Sequence, residues 1–204
     1  MSDYTPSAKE VKELRDTTGA GIMDCKAALA ETAGDQEKAR DLLRAKGAAD
    51  AAKRGDREAG EGLIHSYIHA GGRVGVLVEV NCETDFVARS DDFAEFVHDV
   101  ALHIAALNPL YVSADEIPDE YKERERAVYV EQAKEQGVDE KFRDKAVDGK
   151  LAKHLKEIAL LDQEFVRDQG EKKPRTIEAL RVEFAAKLGE NLTIRRFTRY
   201  ELGG

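Results

Sequence analysis

Asp85 and Phe86, an acid and an aromatic side by side, stand where a long apolar run, Val74-Gly75-Val76-Leu77-Val78-Glu79-Val80-Asn81-Cys82-Glu83-Thr84, comes to an end. An aromatic ring offers apolar area to a partner and a carboxylate offers a charge-assisted hydrogen bond, so the pair suits recognition of another macromolecule. Covalent catalysis would need a nucleophile with a base in reach, and the chain offers only Cys82 with scattered histidines. His65 and His69, four apart on a strand, share a face at a separation of about 13 Å, too far to chelate one zinc, so no metal site is expected. Gly71-Gly72-Arg73-Val74-Gly75 lacks the Lys-Ser/Thr ending of a phosphate loop and lies between two strands. The expectation is a protein without cofactor, without nucleotide of its own and without enzymatic turnover.

The elements around Asp85 define how it is held. Alternation up to Val80 reads as a strand, and Ser90-Asp91-Asp92 reads as the cap and acidic first turn of a helix, which leaves Thr84 to Val87 on the connection. That helix places Phe93, Phe96, Val97, Val100, Ile104 and Leu107 on one face. Phe86 falls outside this register, and two roles are open to it: a hydrophobic staple or satellite-core residue, or an exposed probe. Leu63 to Ala70 and Val74 to Val80 form an antiparallel pair through Gly71-Gly72, which supplies the positive φ of a tight turn. Leu192 to Leu202 alternates and completes a three-stranded sheet. Asn108-Pro109 and Ile117-Pro118 interrupt the chain. A highly charged helix is expected over 119–137, another ending near 161 with Phe142, Val147, Leu151, Leu155 and Ile158, and a third over Thr176 to Leu188 with Ile177, Leu180, Phe184 and Leu188 on one face.

Three short helices precede residue 48. Ser7-Ala8-Lys9-Glu10 is a capping box, Thr17 to Gly21 a breaker, and the third helix, opening at Gly34-Asp35, is expected to stop at Gly47. Val11, Leu14, Ile22, Cys25, Leu29, Leu42 and Leu43 could close a small core. Ala48 to Gly60 has no large apolar side chain and reads as a linker, helical or flexible. The domains are therefore 1–47, a linker at 48–60 and an α+β core at 61–204.

The 204 residues carry 32 Lys and Arg against 41 Asp and Glu, a net charge of −9, which disfavours nucleic acid and anionic membranes as partners. No apolar run approaches the ~20 residues of a membrane span, Met1 to Glu10 lacks a secretory pattern, and Cys25 and Cys82 are too few for a disulfide framework, so a cytoplasmic protein with reduced thiols is expected. Arg195, Arg196 and Arg199 form either a basic patch or a solvated strand face.

Asn81-Cys82-Glu83-Thr84-Asp85-Phe86-Val87-Ala88 resembles the signature of the elongation factor Ts family, the nucleotide-exchange factors of elongation factor Tu. Val11 to Leu29, with Thr17-Thr18-Gly19-Ala20-Gly21-Ile22-Met23-Asp24-Cys25-Lys26-Ala27, is similar to that family's N-terminal module, which more often has Met at 22 and Lys at 27. Leu160-Leu161-Asp162-Gln163 with Phe165-Val166, and Leu188-Gly189-Glu190-Asn191 with Arg195-Arg196-Phe197, resemble its closing segments. The resemblance implies an N-terminal three-helix ubiquitin-associated-like module followed by an α+β core with a small antiparallel sheet and several helices, in a short form without the duplicated core of longer members. It further implies binding to GDP-bound and nucleotide-free elongation factor Tu. Thr84, Asp85, Phe86 and Val87 would be the exchange probe, pushing near the partner's magnesium and phosphate site. Arg15, Ile22, Met23, Asp24 and Lys26 would form the N-terminal grip, where Ile22 and Met23 could equally complete the core. A different class, a peptide-binding adaptor built on the N-terminal helices, would keep full function in residues 1–47 alone. A small sheet with an open face leads to the expectation of a homodimer, against a monomer whose helices between Asp119 and Leu161 cover it.

Overall fold

The computed structural model describes residues 4–203. The chain is α+β: α1 (Ala8–Thr18), α2 (Ile22–Glu31), α3 (Gln36–Arg54), β1 (Glu61–Ile68), β2 (Val74–Cys82), the single turn α4 (Asp85–Ala88), α5 (Asp91–Leu107), α6 (Asp119–Glu135), α7 (Glu140–Ile158), α8 (Ile177–Leu188) and β3 (Thr193–Glu201). The strands form one antiparallel sheet in the order β1-β2-β3. Gly71 and Gly72 take φ of 90° and 69° at the tip of the β1-β2 hairpin, a conformation that a side chain would strain.

Local signals account for the helix starts. Ser7 Oγ accepts from the Glu10 amide at 3.3 Å while the Glu10 carboxylate accepts from the Ser7 amide at 2.8 Å, so α1 opens on a capping box. Asp35 caps α3 through Lys38 N–H, and Ser90 Oγ accepts from Phe93 N–H at the head of α5. Along α5, Phe93, Phe96, Val97, Val100 and Ile104 of the expected stripe are buried, and Leu107, at the helix's last turn, is half-buried.

Contacts divide the chain into two compact parts. The first holds residues up to Ile64, Glu79–Val97 and Ala179–Ile194. Its N-terminal helices close on Val11, Leu14, Cys25, Ala28, Leu29 and Ala39, with Ala20, Leu42 and Leu43 at the edge. Phe96 stacks against Phe184 with centroids 5.2 Å apart. Two expectations fail here. Ile22 is exposed and stands outside the helical core: side chains tilt toward a helix's N-terminus, so a residue at the first position projects past the packed turns. Gly47 does not end α3, which runs on to Arg54. Glycine in a helix interior costs only about 1 kcal/mol, and the Ala-rich continuation is a good helix former that buries Ala51. The segment read as an unanchored linker is thus tied down, with Arg54 Nη1 donating to the Ala185 carbonyl at 3.4 Å and Asn191 Nδ2 donating to the Gly55 and Arg57 carbonyls.

The second part holds His65–Val78, His98–Glu178 and the residues from Arg195 on. Here α6 and α7 form a charged helical hairpin, with a small cluster of Ile117, Ile158 and Ala159 ringed by Tyr111, Ala114, Tyr121 and Leu155. Phe142, expected among the apolar residues of α7, is exposed in its first turn. His103 is wholly buried. Val166 N–H donates to its Nδ1, which fixes the proton on Nε2, and that nitrogen donates to Gln163 Oε1 at 2.9 Å. Arg199 reaches inward to the Ala105 carbonyl and pairs with Glu201, so it is not a free cation of a basic patch.

Candidate functional site

β2 ends at Cys82, and the next residues turn sharply. Thr84 is extended (φ −127°, ψ 152°) and its hydroxyl accepts from Val87 N–H at 3.3 Å, so it is the N-cap of α4. The Thr84 carbonyl accepts from Ala88 N–H at 3.1 Å and from the Cys82 thiol at 3.2 Å. On this single turn the side chains diverge. Val87 is buried and pins the turn to the core, whereas Phe86 is 82% exposed, the most exposed of the large apolar residues among those described. Asp85 pairs with Arg89 one turn later at 2.9 Å, with both side chains largely in solvent. Asp85, Phe86, Arg89, Ser90 and Asp91 line a shallow surface depression. A phenylalanine left in water forgoes the stabilisation that burial would give, on the order of 2 kcal/mol.

Cys82 is no nucleophile. Its thiol is fully buried, and burial first, then the nearby Glu190 carboxylate, push its pKa up to about 11, which keeps it protonated. Cys25 is likewise buried, with its pKa raised chiefly by desolvation. The strand geometry separates His65 from His69, but the fold brings His65 Nε2 to 3.3 Å from His98 Nδ1, a contact with no sequence signal. No group of three or more metal-ligating side chains occurs among the described residues.

The residues of the N-terminal set lie on α1 and at the start of α2. Ile22 and Met23 are exposed, 54% and 74%, and neither belongs to the three-helix core. Arg15 and Lys26 are exposed, and the Asp24 carboxylate is engaged by Lys46 of α3. Two residues that matter to the Asp85-Phe86 turn escaped sequence reasoning. Arg89 sits at the (i, i+4) spacing from Asp85, a usable signal. Glu190 lies 106 residues from Thr84 and is bonded to it, which no local pattern reveals.

No helix among the described residues is long and apolar enough to cross a membrane. The family profile described as Elongation factor TS matches residues 50–180. The chain is 53% identical over 197 residues to Elongation factor Ts of Geobacter sp. (strain M21), covering 97% of this chain and 89% of that one. It is 52% identical over 197 residues to that of Syntrophobacter fumaroxidans, covering 97% and 96%, and 51% identical over 203 residues to that of Desulfitobacterium hafniense, covering 100% and 91%. The exposed Phe86 therefore sits in a sequence alike from end to end to factors of translation elongation, and the chain belongs to the elongation factor Ts family.

Proposed function

We propose that this protein is the guanine-nucleotide exchange factor of elongation factor Tu and that it releases GDP by pressing Asp85 and Phe86 against its partner near the magnesium and phosphate site. The carrying observation is the pairing of an 82% exposed Phe86 with a backbone turn fixed on both sides. A rigidly presented aromatic enters a partner without first paying the cost of ordering itself. Linkage supplies the rest: a protein that binds the nucleotide-free form more tightly than the GDP form weakens GDP binding by the same factor. The factor itself holds no nucleotide and forms no covalent intermediate, and its chemistry is carried out in the cytoplasm.

The functional division keeps the expected bounds, although α3 runs unbroken across residue 47 to Arg54. Residues 1–47 grip the GTPase through Arg15, Ile22, Met23, Asp24 and Lys26, residues 48–60 connect, and 61–204 carry the probe of Thr84, Asp85, Phe86 and Val87. Val87 acts from beneath, as the buried foot of the turn. The core also self-associates. Leu77, 51% exposed, lies between buried Val76 and Val78 on β2, and with Ile68 on β1 and Tyr200 on β3, 65% and 73% exposed, it leaves apolar side chains on the strands for a second copy to cover in a two-fold homodimer.

The decisive experiment follows release of a fluorescent GDP from elongation factor Tu. Sub-stoichiometric amounts of this protein accelerate release, and the protein alone does not bind GDP. Unchanged dissociation over a wide range of its concentration, or tight GDP binding by this chain, overturns the reading.

A further inference from the structure

The turn that presents Phe86 is fastened from a distance by Glu190, which follows α8 through Gly189 (φ 76°). One oxygen of its carboxylate, Oε2, accepts from the amides of Glu83 and Thr84 at 3.0 and 3.1 Å, and the other, Oε1, accepts from the Thr84 hydroxyl at 2.5 Å. Three donors thus converge on one side chain. The fastening is reciprocal: Glu83 Oε1 accepts from the next backbone amide, Asn191 N–H, at 2.6 Å and lies 3.5 Å from Arg57.

This arrangement controls the cap itself. A threonine hydroxyl has one proton, and here that proton is committed to Glu190, so the oxygen's lone pairs are left to accept from Val87 N–H and start α4. Without the carboxylate the hydroxyl is free to rotate, the cap weakens, and the turn carrying Asp85 and Phe86 samples other conformations. An amide at 190 keeps one acceptor oxygen for the two backbone amides but turns an N–H toward the Thr84 hydroxyl, so the hydroxyl proton is no longer committed to residue 190 and the charge assistance is lost.

We infer that Glu190 is a positioning residue for nucleotide exchange: its carboxylate locks the Thr84 cap so that Phe86 meets the partner in one conformation. This inference rests on the exchange reading above. Glu190 acts only through the turn, so its effect must disappear when Phe86 is absent, whereas a residue that merely supports the fold would act regardless of Phe86.

The test uses the full chain carrying Glu190→Gln, with Thr84→Val as an independent route that keeps the side-chain shape and removes the hydroxyl. Each variant is expected to slow maximal release of fluorescent GDP from elongation factor Tu about tenfold, the scale of lost charge-assisted hydrogen bonds. The double variant should be no slower than the worse single one. In a Phe86→Ala background Glu190→Gln should add less than about twofold. Backbone amide exchange at Glu83, Thr84 and Val87 should speed up in Glu190→Gln while the core of α5 stays protected. Wild-type release rates in Glu190→Gln, or an effect that multiplies in full with that of Phe86→Ala, overturn the inference. Should the wild-type factor itself fail to release GDP, the exchange reading falls and this role falls with it, whereas the amide protection still decides whether Glu190 holds the turn.

Discussion

Among single residues, Phe86 is the large apolar side chain that the fold leaves most exposed among those described. Its exclusion from the α5 stripe was legible in the sequence, since extending that face backward puts Arg89 and Ser90 where apolar residues would be needed. Its exposure needed the structure, because a staple under the helix would have fitted the same spacing. Phe86→Ala is expected to slow exchange by about 2 kcal/mol, roughly thirtyfold, with the thermal midpoint unchanged, because little apolar area is lost from the fold. A clear drop in the midpoint, followed by circular dichroism, would return Phe86 to the core. His103 answers to pH. Burial lowers its pKa to about 4, against an unfolded value near 6.5, so the unfolded chain takes up a proton first as pH falls. The neutral ring's contribution is complete above pH 6.5 and is lost between 6.5 and 4, on the order of 3 kcal/mol in all. Urea melts at pH 7 and 4.5 should show that loss in the wild type and a flatter dependence in His103→Asn.

Among the elements, those that punctuate themselves were readable one by one. The capping box of α1, the Gly71-Gly72 hairpin and the Ser90 cap of α5 each put their signal within four residues of their effect. The course of α3 was not readable, since Gly47 is a local stop signal overruled by a burial that involves residues far along the chain. Glu190 illustrates the same limit at the candidate site: both its partners and its turn are plain in sequence, but their meeting across more than a hundred residues is a product of the fold. Ala51 separates the two accounts of residues 48–60. With Ala51 only 5% exposed, Ala51→Glu forces a bulkier carboxylate into a buried position and is expected to cost about 3 kcal/mol in denaturant unfolding. A free linker would accept the same change within about 0.5 kcal/mol.

For the whole molecule, the net charge of −9 keeps copies apart at long range, so any self-association must come from apolar contact at close range. The proposed dimer makes a sharp prediction. At micromolar concentration sedimentation equilibrium should return about twice the 22.6 kDa of one chain, and Ile68→Asp with Leu77→Asp should return a single chain that still melts cooperatively. A wild-type mass of one chain would remove the dimer. Composition spoke at this scale about which partners to discount, and resemblance along the sequence spoke about family, but neither could say which strand positions carry bare apolar side chains. Both cysteines of this chain are buried and one is held protonated as a hydrogen-bond donor, so the surface of the folded protein is chemically blank toward maleimides. A single cysteine introduced near the exposed hairpin tip, at Arg73, would therefore take a dye or spin label alone, with no native cysteine to remove first. The factor comes already prepared for distance measurements on its encounter with a partner.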